Sequence, residues 1–199
     1  MIRDGGALSE LADLWEPVYP FLAEYLLATS GIEKGRLLEL GPFAGGIALN
    51  VLWRSEVFLV TVLAAEEVPL RWAEERAAEG GYVSRLTTRC APLVPLPEPS
   101  GSFDLVVLRG AFFGLTPSLL AEIARVLRPG GFGWVGGGFG PTTPPSVIAS
   151  IADRSRALNQ ALGKRRVERG DLGHLAREAG LHRRARVRDE GGLWLEVRA

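Results

Sequence analysis

Apolar residues recur at helical spacing near the start of the chain. Leu11, Leu14, Trp15, Val18, Leu22, Leu26 and Leu27 predict a helical region over residues 8–29. Ser9 is placed to cap it, Pro17 and Pro20 divide it into two short helices, and Gly31 ends it. The pattern then changes. Residues 36–40 read as a short strand and 57–63, almost wholly apolar, as an interior parallel strand, which is covered on both faces and has no polar side. Between them lie a loop of small residues, 41–46, and a buried helix, 47–54. An amphipathic helix over 66–79 stops at Gly80-Gly81; a strand over 82–88, a proline-rich loop over 90–102 and a strand over 103–108 follow. A helix over 117–127 has Thr116 as its cap and Pro117 in its first turn, and Pro129-Gly130-Gly131 stops it. A strand begins at 132–135 and leaves through a loop at 136–141. Helices over 145–162 and 171–179 come next. Two last strands, 181–188 and 193–197, are split by Glu190-Gly191-Gly192 as in a hairpin.

Strands and helices thus alternate up to a final hairpin. The fold expected is α/β: a Rossmann-like, doubly wound, mostly parallel sheet of seven strands with a C-terminal antiparallel hairpin. The strands after residue 145 are too few for a sheet of their own, so one domain over 1–199 is expected. The 199 residues are 47% hydrophobic, enough for a substantial core. Lys plus Arg number 23 and Asp plus Glu 23, so no global basic field invites nucleic acid, which is not an expected partner. The charge is uneven, however. Residues 1–148 carry 11 basic and 16 acidic side chains; residues 149–199 carry 12 and 7. The basic excess is either the solvated surface of helices and a hairpin or a patch for an anionic ligand.

One cysteine excludes an intramolecular disulfide, and the two histidines lie far from it in sequence, so no Cys/His zinc site is expected; composition leaves a carboxylate-ligated metal open, and no metal ligand is named. Met1 to Gly6 has no apolar signal region and no run is long enough to span a membrane, so a cytoplasmic protein without a membrane partner is expected.

The strongest motif is Leu37-Leu38-Glu39-Leu40-Gly41-Pro42-Phe43-Ala44-Gly45-Gly46. An acid ends the first strand, a glycine permits the turn, and backbone amides are exposed near a helix N-terminus. The loop lacks the Gly-Lys-Ser/Thr of a nucleotide P-loop, and Phe43 stands where a dinucleotide loop has its second glycine. With Leu96-Pro97, Gly101-Ser102-Phe103-Asp104-Leu105-Val106-Val107 and Glu122-Ile123-Ala124-Arg125-Val126-Leu127-Arg128-Pro129-Gly130-Gly131 in order behind it, residues 10–199 resemble the class I S-adenosylmethionine-dependent methyltransferases, in divergent form.

The resemblance implies S-adenosylmethionine as cofactor. Glu39 and the backbone of Gly41, Pro42, Phe43, Ala44 and Gly45 would surround its methionine end, with Phe43 reshaping the pocket. Where the family has an acid for the ribose, this chain has Leu63 or Ala64, with Glu66 or Glu67 nearby. Where it often has an acid beside the adenine, Cys90 and Ala91 stand; Cys90 reads as a buried small hydrophobe. Arg109 and Gly110, after the fourth strand, would lie near the transferred methyl group, Arg109 serving the cofactor, an anionic substrate or a strand-end salt bridge. Residues 8–29 would form lid helices, with Tyr19 on the cofactor and Trp15 on the acceptor; both residues also read as simple docking contacts. Phe112, Phe113, Gly138, Phe139 and Lys164 complete the acceptor side, for a small, anionic molecule. The glycines of 136–140 form an anion nest or merely let the strand exit. No general base stands out, because His174 and His182 read as surface or packing residues. Methyl transfer, a catalytically silent binding module and a protein for another nucleotide are the three functions this pattern allows.

Overall fold

The computed structural model describes residues 5–199; Met1 to Asp4, part of the segment read above as free of a signal sequence, lie outside the described residues. The chain runs α1 (Gly5–Leu14), α2 (Tyr19–Ser30), β1 (Gly35–Leu40), α3 (Gly46–Arg54), β2 (Phe58–Ala64), α4 (Glu67–Gly80), β3 (Leu86–Cys90), β4 (Phe103–Arg109), α5 (Pro117–Val126), β5 (Leu127–Gly137), α6 (Pro145–Ala161), α7 (Arg169–Glu178), β6 (Ala185–Arg188) and β7 (Leu193–Arg198). The strands form one sheet in the order β3-β2-β1-β4-β5-β7-β6. Pairs from β3 to β5 are parallel, and β7 runs antiparallel to both β5 and β6. This is the mostly parallel seven-stranded sheet with a terminal hairpin that the alternation predicts.

Side chains alternate across the strands and build two cores. Leu37, Val60, Val62, Leu105, Val107 and Trp134 face the layer of α1, α2, α3, α4 and α6. Leu38, Leu40, Leu63, Val106, Leu108 and Val135 face α5 and α7. All seven residues of β4 are buried, which is why its sequence is a nearly unbroken apolar run.

Several boundaries move for local reasons. The N-terminal helix divides at residues 15–18, as its prolines require, but it begins at Gly5, so Ser9 lies inside α1 and not at its cap. The strand expected over 82–88 is displaced. Gly81 takes a left-handed φ of 74° and returns the chain to the end of α4. Val83–Arg85 then forms a 3₁₀ turn, held by Arg85 donating to the carbonyls of Ser55 and Leu52, before β3 starts at Leu86. The strand expected from 181 starts at Ala185, because Leu181 closes α7 by bonding the Ala176 carbonyl and Arg184 turns back onto Leu181. Cys90 is exposed, not buried: β3 is the edge strand and most of its residues face water.

Asp104 ties the centre of the sheet at the end opposite the glycine loop. It is buried on β4, accepts from the Arg36 amide of β1 at 2.7 Å, and pairs with Arg128 of β5. Removing the carboxylate leaves a strand-end amide and a guanidinium without their partner. Asp104→Ala is expected to lower unfolding free energy by about 2–3 kcal/mol in urea titration without changing the native circular dichroism.

Candidate functional site

Strand alternation decides what stands at the carboxyl edge of the sheet. Glu39 pairs in register with Val107, and Arg109 lies two residues beyond Val107, so both side chains project into the layer beneath α1 and α2. Glu39 is wholly buried. Its carboxylate accepts from the Ala48 amide at 2.7 Å and from the Ile47 amide at 3.4 Å, both in the first turn of α3, where free amides and the helix dipole favour an anion. Burial nevertheless dominates and raises its pKa to about 7; the amides of Ala48, Gly45 and Ile47 and the Arg109 charge pull the other way.

Arg109 is 4% exposed and surrounded by rings. Its guanidinium carbon lies 4.3 Å from the centroid of Trp15, 4.8 Å from Phe43 and 5.1 Å from Tyr19. Nη2 donates to the Tyr19 hydroxyl at 2.9 Å, while Nε is buried without a partner. Burial pushes the Tyr19 hydroxyl up to about 12, against the opposing pull of Arg109, so it stays a neutral acceptor.

Two cavities adjoin here and share Gly110 and Phe113. The smaller, about 250 Å³, is lined by Gly41, Pro42, Ala65, Glu66, Leu93 and Leu108 among others; Glu66 is its one ionisable side chain. The larger, about 500 Å³, lies between the ends of β4 and β5 and helix α6, with Trp15, Phe112 and Phe139 in its wall. It carries Arg109, Arg156, Lys164, Arg165 and Arg166 and no acid. Helix α1 reaches both, Leu8 lining the smaller cavity and the following turn supplying Trp15 to the larger. Polar contacts pin it on each side: Asp13 accepts from Trp72 Nε1 at 2.8 Å on α4, Glu10 pairs with Arg154 on α6, and Trp15 Nε1 donates to Ser155 Oγ at 2.8 Å.

The residues named from sequence distribute unevenly. Trp15, Phe43, Arg109, Gly110, Phe112, Phe113, Gly138, Phe139 and Lys164 all line the larger cavity. Gly41, Pro42, Gly110 and Phe113 line the smaller. Leu63 and Ala64 are buried in the two cores, and Cys90 and Ala91 lie outside both cavity walls; Ala65 and Glu66 occupy the wall at the end of β2. Glu39, below the loop, and Ala44 and Gly45, within it, lie outside both cavity walls. There Gly45 faces Ala73 and Trp72, and a Cβ on Gly46 would strike the Tyr19 ring, so these glycines serve helix packing. Phe43 stacks edge-on to Phe113 over Gly110 and turns toward the larger cavity. Gly138 abuts the Gly191-Gly192 backbone of the hairpin turn, with Gly140 donating to the Gly191 carbonyl at 2.8 Å. His174 and His182 are exposed. Sequence reading did not find Ser155 and Asn159 in the larger cavity wall; they sit one turn apart on α6, facing Trp15, a helical phase that the basic residues around them obscured. Among the described residues no cluster fit for a metal ion occurs, and no helix is long and apolar enough to cross a membrane.

The raised Glu39 pKa has a signed consequence. An unfolded glutamate titrates near 4.5 and the folded one near 7, so the native state binds more protons between these values and stability falls as pH rises through that window. A shift of this size is worth on the order of 3 kcal/mol. Glu39→Gln lacks the group. Its urea-unfolding free energy relative to the parent is expected to climb from pH 4.5 to about 7 and then level off; a flat difference would refute the burial shift.

A family model described as "Methyltransferase domain" matches residues 38–135, from β1 into β5. The ubiquinone/menaquinone biosynthesis C-methyltransferase UbiE of Geobacter sulfurreducens is 30% identical over 106 residues, covering 50% of this chain and 40% of that protein, so the chain matches well under half the length of this relative. Among solved structures, a provisionally assigned S-adenosyl-L-methionine-dependent methyltransferase from Methanococcus maripaludis superposes with a TM-score of 0.80 at 20% identity, over 98% of this chain and 91% of that one. A SAM-dependent methyltransferase from Aquifex aeolicus superposes with a TM-score of 0.69 at 18% identity, over 98% and 97%. The family match over residues 38–135, just under half of the chain, and the superposition of the whole sheet give this chain the Rossmann-like fold of the class I S-adenosylmethionine-dependent methyltransferases.

Proposed function

We propose that the protein binds S-adenosylmethionine in the smaller cavity and transfers its methyl group to a small anionic acceptor in the larger one. The observation that carries this reading is the meeting of two unlike cavities at Gly110 and Phe113, beneath α1 and the turn that follows it. The residues of the smaller cavity fit the cofactor. Leu93, Leu108, Leu115 and Leu119 offer apolar walls for an adenine ring, and Gly41, Pro42 and Gly110 bring backbone to the wall. The Glu66 carboxylate makes no hydrogen bond to the described residues and borders the cavity, which leaves it free for ribose hydroxyls in place of the acid missing at Leu63 and Ala64.

The cofactor, when bound, supplies an electrophilic methyl group on a sulfonium. The chain's part is to orient and enclose. Leu8 and Trp15 exclude water, α1 and α2 acting as the lid, and Phe113 walls both ligands at the shared boundary. The cationic wall sets the acceptor's orientation by its acidic group. No residue is assigned as a general base.

A second reading, a catalytically silent module that binds the cofactor, draws on the apolar residues at the ribose and adenine positions. Calorimetric titration with S-adenosylmethionine and S-adenosylhomocysteine tests what the two readings share. A dissociation constant of about 10–100 µM is expected, and Glu66→Gln should weaken it about tenfold, near 1.4 kcal/mol, with unchanged thermal stability. No saturable binding of either compound defeats both readings. Release of labelled methyl into a panel of small organic acids then separates enzyme from binder.

A further inference from the structure

We infer that the larger cavity is an oxyanion site that takes a carboxylate or phosphate group, carried on a flat apolar body, against Arg109 and Lys164. This deepens the acceptor half of the function proposed above and rests on it only for the ligand's role. The first observation is a charge imbalance. The cavity wall holds five cationic side chains and no acid, and three of these, Arg109, Lys164 and Arg165, have no ion pair among the described residues. Surface charges of this kind are ordinary; Arg109 is not. It is buried, its Nε lacks an acceptor, and its hydrogen-bonding partner, the Tyr19 hydroxyl, is neutral.

A desolvated guanidinium without a counter-ion is costly. The three rings around it offset part of that cost through their faces, and of their side chains only the Tyr19 hydroxyl accepts a hydrogen bond from it, leaving Nε unpaired. Glu39, on the same face, is spent on the amides of α3 and titrates near neutrality, so it neutralises the arginine incompletely. Lys164 adds a second positive charge. Desolvation first, then the Arg109 charge, lowers its pKa, and its amine lies 5.9 Å from the Phe112 centroid. A planar guanidinium fork with a free donor, sharing a cavity wall with an ammonium, is matched by a carboxylate or phosphate, which relieves the repulsion between the two cations.

The rest of the wall defines the body that carries the oxyanion. Trp15 and Phe139 stack face to face, with centroids 4.8 Å apart and planes within 2°, and Phe112 and Phe113 complete an aromatic lining. Such surfaces favour a flat apolar ligand over a bare ion. Ser155 and Asn159 provide polar edges for further groups on it.

The probes are benzoate, phenyl phosphate, inorganic phosphate and benzyl alcohol, titrated calorimetrically into the full chain without cofactor. Benzoate or phenyl phosphate is expected to saturate below about 10 mM, with benzyl alcohol and inorganic phosphate each at least about tenfold weaker. The stronger of the two aromatic acids assigns the oxyanion as carboxylate or phosphate. Lys164→Ala, at an exposed position, should weaken the stronger probe about three- to tenfold, and Arg109→Met should abolish its binding. Arg186→Ala, on the hairpin away from the cavity, should leave it unchanged. If Arg109→Met loses its near-ultraviolet circular dichroism, Lys164→Ala and Arg165→Ala carry the test. The inference is overturned if neither aromatic acid saturates, if benzyl alcohol or inorganic phosphate binds as tightly as they do, or if the lysine and arginine substitutions leave their affinity untouched. S-adenosylhomocysteine, titrated in parallel, reads the smaller cavity. Oxyanion binding without it keeps this site and removes the methyltransferase reading, and the reverse result does the opposite.

Discussion

The guanidinium of Arg109, kept from water at the end of β4, sets the arrangement of everything above the sheet's carboxyl edge. It can be buried only because rings close over it from three directions, and each ring comes from a different part of the chain: Trp15 from the turn after α1, Tyr19 from the start of α2, Phe43 from the loop after β1. The N-terminal helices are therefore seated by a charge as well as by a core. The glycines follow from the same demand. Gly46 has no side chain because the Tyr19 ring lies there, and Gly110 takes a left-handed φ of 75° with Phe43 across the place a Cβ would fill. A loop that looks made for a ligand is, over half its length, made for aromatic packing.

That division explains what could be read from the sequence. The strands β1, β2 and β4 were legible because burial on both faces leaves an apolar run, and α5 was legible because Thr116, which accepts from the Leu119 amide at 3.2 Å, and Pro117 are local signals. The starts of β3 and β6 were not. They depend on Arg85 reaching back to carbonyls some 30 residues earlier in the chain and on Leu181 closing α7, contacts without a periodic trace. The exposure of Cys90 follows from its place on an edge strand, and strand order does not appear in a single strand's composition.

The two halves of the candidate site were unequally visible for a related reason. The wall of the larger cavity includes Trp15, Phe112 and Lys164, expected on the acceptor side, and Arg109, expected at the cofactor; all are large or charged and stand out in the sequence. At the smaller cavity the wall lies one to two residues further along the chain from the expected positions at the end of β2. Leu63 and Ala64 turn into the cores, and Ala65 and Glu66, just past the strand, form the wall. Side chains alternate with a period of two, so a one-residue error at the end of a strand exchanges a core position for a cavity position. The family match ends at residue 135, before α6 and the Lys164–Arg166 segment, so the part of the wall richest in charge comes from outside it.

The unsatisfied Nε of Arg109 would tie durability to recognition under the inference drawn above. Dehydrating that group is a burden that folding has already carried, and a partner arriving at the cavity meets donors that need shed little water. The unpaired group leaves the protein less stable than its sheet and cores alone would permit. Exchanging Arg109 for an apolar residue of similar volume is the substitution that would relieve the strain on the resting molecule, and it would leave the chamber without its anchor. The buried, half-bonded arginine thus marks one position where the fold forgoes stability that an apolar side chain would supply.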